Sequence, residues 1–282
     1  MIYFSDDELQ RYIHDDIPYF DLTTSLQNVK NRHAKLSIFT REELLVSCSE
    51  EAQRIALLLG CHVKNCMASK TIVKKGEILL EFTGTYEAVH QAWKVCQILL
   101  EYSCKIATYT HTMNQKIKAI NPSCELLATR KSFPFAKRFC IKSILNGGAL
   151  PHRLNLSETV LFFDNHRIVY ESNKAFYQAI YAFKNKVPEK KIVVESTTLE
   201  DIKFLMEYGV DVIQIDKASQ ELVIQAVEHK NRYLYKNVKL LAAGGINLNN
   251  VETFAQTNVD GIVTSALYNA GCADLGSTMT LI

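Results

Sequence analysis

Polar or glycine residues follow six short apolar runs in the second half of the sequence, at the point where each run ends. These residues are Thr129-Arg130-Lys131, Asp164-Asn165-His166, Glu195, Asp216-Lys217, Gly244-Gly245 and Thr264-Ser265. In an α/β barrel, side chains at the carboxyl ends of the strands converge on one mouth, where active sites are found. One acid after a strand is more often a helix cap than a catalytic group. The recurrence of such residues at six strand ends favours an active site.

Glu195 and Asp216 end neighbouring apolar runs. An ionised carboxylate in such surroundings is costly unless a cation, a metal ion or a ligand hydroxyl compensates it. The two carboxylates are therefore candidates to bind Mg²⁺ or a ribose ring. The alternative is a simple salt bridge to Lys131 or Lys217.

A basic segment between the first two of these runs contains no acidic residue. Its cations are Arg130, Lys131, Lys137, Arg138, Lys142, His152 and Arg153. Gly147, Gly148 and Pro151 indicate a shaped loop within the segment rather than a uniform helix surface. Because a local group of cations concentrates anions, we predict a small polyanionic ligand; the alternative is a solvated basic face.

Two glycines, Gly244 and Gly245, follow an apolar run and resemble a late-strand phosphate loop. Glycines let backbone N–H groups approach phosphate oxygens, and the start of a following helix adds a favourable dipole. Thr264 and Ser265 supply hydroxyls after the next run. Together they favour a phosphorylated ligand, although a tight turn could also require the glycines.

The apolar runs alternate with helix-like stretches beyond residue 105. The runs occupy 126–128, 160–163, 192–194, 212–215, 240–243 and 261–264, and connectors such as 199–208 and 220–227 have helical spacing. Strands with continuous apolar character are typical of a parallel sheet that is covered on both faces. The sequence predicts a β-α repeat, closed into a barrel or open, and the polar strand ends favour the barrel.

The first hundred residues mix helices with short antiparallel strands, which predicts an α+β domain. A capping box at Ser5 and Glu8 begins one helix, and Gly60 ends another that starts near Glu50. The other predictions are a loop over 15–24, a strand over 34–38, two strands around a Lys-Gly turn within 71–82, and a long helix over 86–120 that a break at 103–105 could divide. We place the domain boundary there, with residues 1–104 completed by 267–282 and the barrel over 105–266.

The composition excludes several classes of protein. A formal net charge of +2 over 282 residues argues against a nucleic-acid-binding protein, which usually carries a concentrated Lys/Arg excess. The acidic start does not resemble a signal peptide, and no apolar run is long enough to span a bilayer. Eight scattered cysteines without a Cys-x-x-Cys pair indicate reduced, buried thiols. We predict a cytoplasmic protein with no membrane or nucleic-acid partner.

Several motifs occur in one order along nearly the whole chain: Asp21-Leu22-Thr23-Thr24, Ile106-Ala107-Thr108, Thr129-Arg130-Lys131, Gly147-Gly148, His152-Arg153, Asp164-Asn165-His166 and Gly244-Gly245-Ile246. This series resembles the nicotinate-nucleotide pyrophosphorylase family, also called quinolinate phosphoribosyltransferase. The resemblance implies an N-terminal α+β sandwich domain joined to an incomplete α/β barrel. It also implies homodimers, or larger homo-oligomers, in which the active site lies against the partner's N-terminal domain.

The family reaction joins a pyridine nitrogen to C1′ of phosphoribosyl pyrophosphate, expels pyrophosphate with Mg²⁺ and then loses CO₂, without an organic cofactor. By resemblance, Lys131, Glu195 and Asp216 are the catalytic candidates, with Glu195 and Asp216 binding the ribose hydroxyls or the metal. The same resemblance implies that Arg130, His152 and Arg153 bind the acidic groups of the acceptor. Gly244, Gly245 and Ser265 would bind the 5′-phosphate, with Thr264 beside them, and Lys142 lies next to the position of a family lysine.

Four positions depart from the family pattern. Phe163 stands where the family has a lysine before Asp-Asn-His, and Trp93 stands where it has an arginine sent from the partner subunit. Ile141 stands where it has another lysine, with Lys142 one place on, and Lys217 stands in place of an asparagine. Together with segments such as 214–217, these departures resemble the related ModD group of pyrophosphorylases, which is associated with molybdenum transport. Because two cations are absent from a pocket for two carboxylates, we predict poor turnover of quinolinate.

Three hypotheses follow. The first is a ModD-like pyrophosphorylase that transfers a phosphoribosyl or related glycosyl group to an acceptor less acidic than quinolinate. The second is a genuine quinolinate phosphoribosyltransferase of NAD synthesis, in which Lys94, Lys142 and Lys217 replace the lost cations. The third is a non-catalytic anion-binding protein, against which the retention of Lys131, Glu195 and Asp216 argues.

Overall fold

A computed structural model describes residues 2–27, 29 and 31–282. The chain divides into two compact units. The first contains the described residues of 1–111 together with 133–147 and 268–282, and the second contains 112–132 and 148–267. The segment 133–147, which the sequence assigned to the barrel, thus groups with the first unit. The predicted boundary after residue 104 falls inside one continuous helix, Tyr86–Ile120.

The first part of the chain forms a mixed α/β unit. Its elements are α1 (Asp6–Asp16), α2 (Leu22–Gln27), β1 (His33–Thr40), β2 (Leu44–Leu45), α3 (Ser49–Leu58), β3 (His62–Cys66), β4 (Ile72–Val73), β5 (Ile78–Thr85) and α4 (Tyr86–Ile120). A capping box between Ser5 and Glu8 begins α1. The C-terminal strand β13 (Leu275–Leu281) joins an antiparallel sheet of order β13-β1-β5-β3. The buried side chains of β1 alternate along the strand and share one core with α1, α3 and α4.

The two strands predicted around a Lys-Gly turn within 71–82 are present as β4 and β5, with Gly76 at a φ of +93° between them. They belong to different sheets, because β4 pairs with β2 while β5 pairs with β1 and β3. Two other predictions for this part were wrong. Helix α4 runs through 103–105 without a break, since Ser103 and Cys104 are buried in the core rather than exposed at a turn. The predicted loop over 15–24 contains the start of α2, where the Asp21 side chain accepts from the Thr23 backbone N–H at 2.9 Å.

The rest of the chain supplies the parallel sheet and its helices. The elements are β6 (Glu125–Ala128), α5 (Lys137–Asn146), β7 (Leu150–Pro151), β8 (Val160–Phe162), α6 (Asp164–Arg167), α7 (Asn173–Lys186), β9 (Ile192–Ser196), α8 (Leu199–Glu207), β10 (Val212–Ile215), α9 (Gln220–Arg232), β11 (Lys239–Ala243), α10 (Val251–Ala255), β12 (Gly261–Thr264) and a 3₁₀ helix (Ala266–Asn269). All six predicted strands are present.

The seven strands of the second unit are parallel and form a half-barrel of order β7-β6-β12-β11-β10-β9-β8. The sheet is open, with β7 and β8 at its edges. Within the described part of the chain, no helix has the length and apolar character needed to cross a bilayer. The prediction of buried thiols is correct for six of the eight cysteines, whereas Cys66 is half-buried and Cys272 is exposed.

Candidate active site

The carboxyl ends of the parallel strands gather nearly all the predicted site residues. The strand register aligns Ala128 with Thr264 and Pro151, and Ile215 with Ala242 and Ser196. The residues at or directly after these ends are Arg130, Lys131, His152, Arg153, Glu195, Asp216, Gly244, Gly245, Thr264 and Ser265. This set, which excludes Lys142, is called the carboxyl edge below.

The cationic side of the carboxyl edge is built around Arg153. Its side chain is 7% exposed, and its guanidinium carbon lies 6.0 Å from the centre of the Phe163 ring. Burial, followed by the nearby Arg130, lowers the pKa of Arg153. Across the described residues, neither arginine lies within 4 Å of a carboxylate. A buried guanidinium without an anion inside the protein is suited to bind an anionic ligand.

His152 follows β7, and its backbone N–H donates to the Ala128 carbonyl at 2.9 Å. Burial lowers the pKa of the imidazole, and the positive charge of Arg153 lowers it further. The neutral form is therefore favoured near neutral pH. A neutral imidazole can donate or accept a hydrogen bond, but it adds no charge for a second carboxylate of a ligand.

The acidic side of the carboxyl edge contains Glu195 and Asp216. Burial raises the pKa of Glu195, Asp216 and Asp164 raise it further, and a hydrogen bond from Gln214 and the charge of Lys131 oppose the shift. The Gln214 Nε2 atom lies 2.7 Å from Oε2 of Glu195. Neither Glu195 nor Asp216 has a lysine or arginine nitrogen within 4 Å in the described residues, so the predicted alternative of a salt bridge to Lys131 or Lys217 is wrong.

The metal-binding potential of this edge rests on those two carboxylates. Among the residues that the structure describes, no group of three or more His, Cys, Asp or Glu side chains is arranged to hold a metal ion. Mg²⁺ commonly uses one or two carboxylates together with substrate phosphates and water. The oxygen donors of Glu195 and Asp216 fit that type of site.

The glycine loop packs closely against the end of β10. Gly244 has a φ of +91°, and a Cβ atom there would lie 2.5 Å from the backbone nitrogen of Lys217. Gly245 has a φ of +71° but open space around it. The close approach explains why position 244 requires a residue without a Cβ atom, and the left-handed backbone favours glycine at both positions.

Polar side chains fix the shape of this loop. The Thr264 hydroxyl donates to the Ile246 carbonyl at 2.6 Å and accepts from the Ala266 backbone N–H at 3.0 Å. The Asn250 side chain accepts from the Asn247 N–H at 2.8 Å and donates to the Gly245 carbonyl at 3.2 Å. Thr264 therefore shapes the loop with its hydroxyl. The helix predicted to follow the glycines begins only at Val251 and is five residues long.

Lys142 is not placed with the other predicted residues. It lies on α5 in the first unit, and its amine binds Glu50 at 2.8 Å and also Glu51. The ammonium is buried, and hydrogen bonds to both carboxylates raise its pKa against the opposing effect of burial. Its charge is thus compensated within the first unit.

Sequence reasoning identified Phe163 only as the replacement of a family lysine, and it missed Gln214 as a neighbour of a charged group at this edge. Gln214 is an amide within an otherwise apolar strand, two residues before Asp216, and the period of two puts both on one face. This pattern could have identified Gln214 as a neighbour of the strand-end carboxylates from the sequence. The contact of Phe163 with Arg153 joins strands at opposite edges of the sheet order, and no local sequence pattern predicts it.

Comparisons with known proteins agree with this geometry. Residues 21–104 match the family model for the N-terminal domain of quinolinate phosphoribosyl transferase, and residues 106–276 match the model for its C-terminal domain. The chain is 34% identical to the "Putative pyrophosphorylase ModD" of Pasteurella multocida, covering 98% of this chain and 97% of that protein. It is 30% identical to the protein of that name from Escherichia coli O157:H7, covering 98% and 96%.

Solved structures show the same fold. The nicotinate-nucleotide pyrophosphorylase of Ehrlichia chaffeensis superposes with a TM-score of 0.89 at 21% identity, covering 99% of this chain and 100% of that one. The similarity includes the antiparallel sheet of the first unit and the half-barrel of the second.

Proposed function

Because this chain belongs to the quinolinate phosphoribosyl transferase family and is a phosphoribosyltransferase-type pyrophosphorylase, we propose that its acceptor is less acidic than quinolinate. The donor is phosphoribosyl pyrophosphate or a related pyrophosphorylated sugar, and pyrophosphate leaves. The observation that carries the proposal is the gathering of cations without carboxylate partners and of two carboxylates at one edge of the half-barrel.

The cationic and acidic sides of the carboxyl edge have different roles. Arg130 and Arg153 bind the anionic group of the acceptor, and His152 adds a hydrogen bond. Lys131 lies between acceptor and donor, where its charge stabilises the departing pyrophosphate. Gly244 and Gly245 offer backbone N–H groups, and Ser265 a hydroxyl, to the 5′-phosphate.

Glu195 and Asp216 bind the ribose hydroxyls and are the residues that would hold Mg²⁺ delivered with the donor. When bound, the ion neutralises charge on the diphosphate leaving group. The carboxylates themselves accept hydrogen bonds from the sugar and fix its position relative to Lys131.

The low acidity of the acceptor is supported by the surroundings of Arg153. Phe163 places an aromatic ring beside the guanidinium, and His152 favours its neutral form. A second carboxylate on the acceptor would find no cation at position 163, where the side chain is an uncharged ring, and no positive charge on the His152 imidazole. Each missing charged hydrogen bond weakens binding by about 1.5–3 kcal/mol.

The alternative of quinolinate as the substrate requires replacement cations. Lys142 is bound by Glu50 and Glu51, and the Lys94 amine lies 4.5 Å from the centre of the Trp93 ring. Of the three candidate lysines only Lys217, which is exposed, follows a strand of the half-barrel. These contacts favour the less acidic acceptor.

The proposal extends to assembly and location. By family resemblance the chain forms a homodimer, and large apolar side chains at Tyr19, Phe20, Leu22 and Leu26 are exposed in the first unit. All eight cysteines are free, which suits the reducing cytoplasm.

Calorimetry with phosphoribosyl pyrophosphate and Mg²⁺ tests the function. We expect saturable binding that Lys131→Met weakens by about tenfold or more, the effect of one lost charged contact. Lys191→Met is the matched control, because Lys191 precedes β9 at the opposite end of the strands and its side chain is 70% exposed. Full affinity of the control together with the weakened affinity of Lys131→Met supports the site, and equal affinities of the two variants refute the role of Lys131. No binding by the unchanged enzyme refutes the proposed donor. A screen of pyridine and pterin carboxylates for pyrophosphate release then identifies the acceptor.

A further inference from the structure

Gln214 occupies an unusual position in the half-barrel. It pairs in register with Glu195 across β9 and β10, and the two-residue period places it on the same strand face as Val212 and Asp216. Val212 packs against a small apolar cluster of Leu241, Ala243 and Val263. Gln214 is thus the first polar residue above an apolar layer, directly before the carboxyl edge.

The energetics of this position favour an apolar side chain. Gln214 is 7% exposed, and a buried amide costs free energy unless hydrogen bonds compensate it. Here the amide donates to Oε2 of Glu195 at 2.7 Å. A hydrogen bond to a charged acceptor is among the stronger ones in proteins. The contact with the Glu195 carboxylate therefore offsets the free-energy cost of burying the Gln214 amide.

The charges around Glu195 show why its carboxylate needs such a donor. Asp216 and Asp164 repel the carboxylate and Lys131 attracts it. Lys131 is exposed and has a long side chain, so it does not by itself fix a carboxylate orientation. Oε1 of Glu195 has no hydrogen bond to any of the described residues, whereas Oε2 is held by Gln214.

We propose that Gln214 is a positioning residue that fixes Oε2 of Glu195 and thereby presents Oε1 to a hydroxyl of the donor sugar. This rests on the proposed function, in which Glu195 binds the ribose. The ligand class concerned is a pentose phosphate with a free 2-hydroxyl. Without the amide, the carboxylate turns away from Asp216 and loses its fixed orientation.

The test compares ribose 5-phosphate with 2-deoxyribose 5-phosphate by calorimetry, without metal. We expect the unchanged enzyme to bind ribose 5-phosphate about tenfold more tightly, the value of one charged hydrogen bond. Gln214→Met removes the donor and keeps an unbranched side chain of similar length. It should abolish the preference for the 2-hydroxyl while leaving the affinity for the deoxy sugar unchanged.

Controls separate positioning from folding. Gln225→Met is the matched variant, because the Gln225 amide donates to Glu221 on the exposed side of α9 at 3.3 Å, and it should keep the full preference. Gln214→Leu provides a second apolar replacement, and thermal unfolding checks that each variant is folded. A structural role alone would weaken both sugars equally in Gln214→Met and would overturn the inference.

The outcomes also distinguish the inference from the proposed function. If Glu195→Gln abolishes the preference and Gln214→Met and Gln214→Leu retain it, the inference is wrong and the proposed site stands. If the unchanged enzyme shows no preference between the sugars, Glu195 does not bind the hydroxyl, and both the inference and that role of Glu195 are wrong; the proposed donor is tested separately by the binding of phosphoribosyl pyrophosphate.

Discussion

Arg153 sets the character of the acceptor side because it is a buried cation beside an aromatic ring. A guanidinium over a ring is stabilised by the electrons of the ring face, but the ring supplies no charge to a ligand. Within the described residues Arg153 has no carboxylate partner, so under the proposed function the acceptor supplies the anion. The same proposal gives the acceptor a single anionic group, because Phe163 does not provide the cation that a second one would require.

Phe163→Lys should increase the turnover of quinolinate. The new ammonium would lie near Arg153 and bind a second carboxylate, which raises kcat/KM by roughly 10- to 100-fold for a contact of about 1.5–3 kcal/mol. Formation of nicotinate mononucleotide with phosphoribosyl pyrophosphate and Mg²⁺ is the measurement. Tyr181→Lys, at a side chain that is 74% exposed on α7, adds the same charge elsewhere and should have no effect. An equal gain in both variants would contradict the specific role of position 163.

His152 should make the stability of the protein depend on pH. Its pKa in the folded state lies below the ordinary value of 6.5 because of burial and Arg153. As pH falls below about 6.5, the unfolded chain takes up a proton before the folded one, so stability is lost through that window and is retained above it. We expect the midpoint of thermal unfolding to fall on acidification less steeply in His152→Gln than in the unchanged protein.

His229→Gln is a parallel variant for this experiment. Burial also lowers the pKa of His229, so this substitution should flatten the same pH dependence. His229 lies on α9 rather than at the carboxyl edge, and only His152→Gln should weaken acceptor binding. A His152→Gln protein that loses stability as steeply as the unchanged one would argue against the neutral imidazole.

Helices α3 and α5 are joined by ion pairs between Lys142 of α5 and two glutamates of α3. Glu51 and Lys142 have side chains that are 7% and 10% exposed, and Glu50 joins them from the same helix as Glu51. The pKa of Glu50 is lowered to about 2 by hydrogen bonds from Lys142 and Ser69, which outweigh the raising effect of burial. Removal of one partner from a buried ion pair leaves an uncompensated charge.

Lys142→Met should therefore destabilise the first unit by about 3–5 kcal/mol. Denaturant unfolding is the measurement, and ligand affinity at the carboxyl edge should be unchanged in the folded variant. The double variant Lys142→Met with Glu51→Gln removes the orphaned charge and should recover part of the loss. Normal stability with weakened substrate binding would instead support the role that the sequence predicted for Lys142.

Several large apolar side chains of the first unit are exposed. Tyr19, Phe20, Leu22 and Leu26 follow one another at or beside α2 and are exposed. Single exposed apolar residues are normal, whereas several that lie close together in the sequence indicate a candidate interface. The family resemblance makes a second copy of the chain the expected occupant.

Sedimentation equilibrium should give a mass of at least twice the 32.0 kDa of one chain. Leu26→Asp places a charge on a side chain that is 77% exposed and should lower the mass toward that of one chain, because burial of an unpaired charge opposes association. Tyr181→Asp is the matched control at a comparable exposure. A mass of 32.0 kDa for the unchanged protein would refute the predicted dimer.

The sequence by itself determined the parallel strands and the residues that end them. Continuous apolar runs and helical connectors repeat over short distances, and the carboxyl end of each strand follows from chain direction alone. For this reason the sequence alone assigns Arg130, Glu195, Asp216 and Gly244 to one edge of the sheet. The capping box at Ser5 was equally local.

Tertiary structure decided which charges remain available to a ligand. Lys142 and Arg153 belong to the same basic segment, yet Glu50 and Glu51 bind the first while no carboxylate of the described residues binds the second. The proposed role of Gln214 likewise depends on its contact with Glu195 of the neighbouring strand β9. Partners that are distant in sequence decide whether a charge is compensated, because electrostatic and hydrogen-bond energies depend on distance in space. No local pattern contains that information.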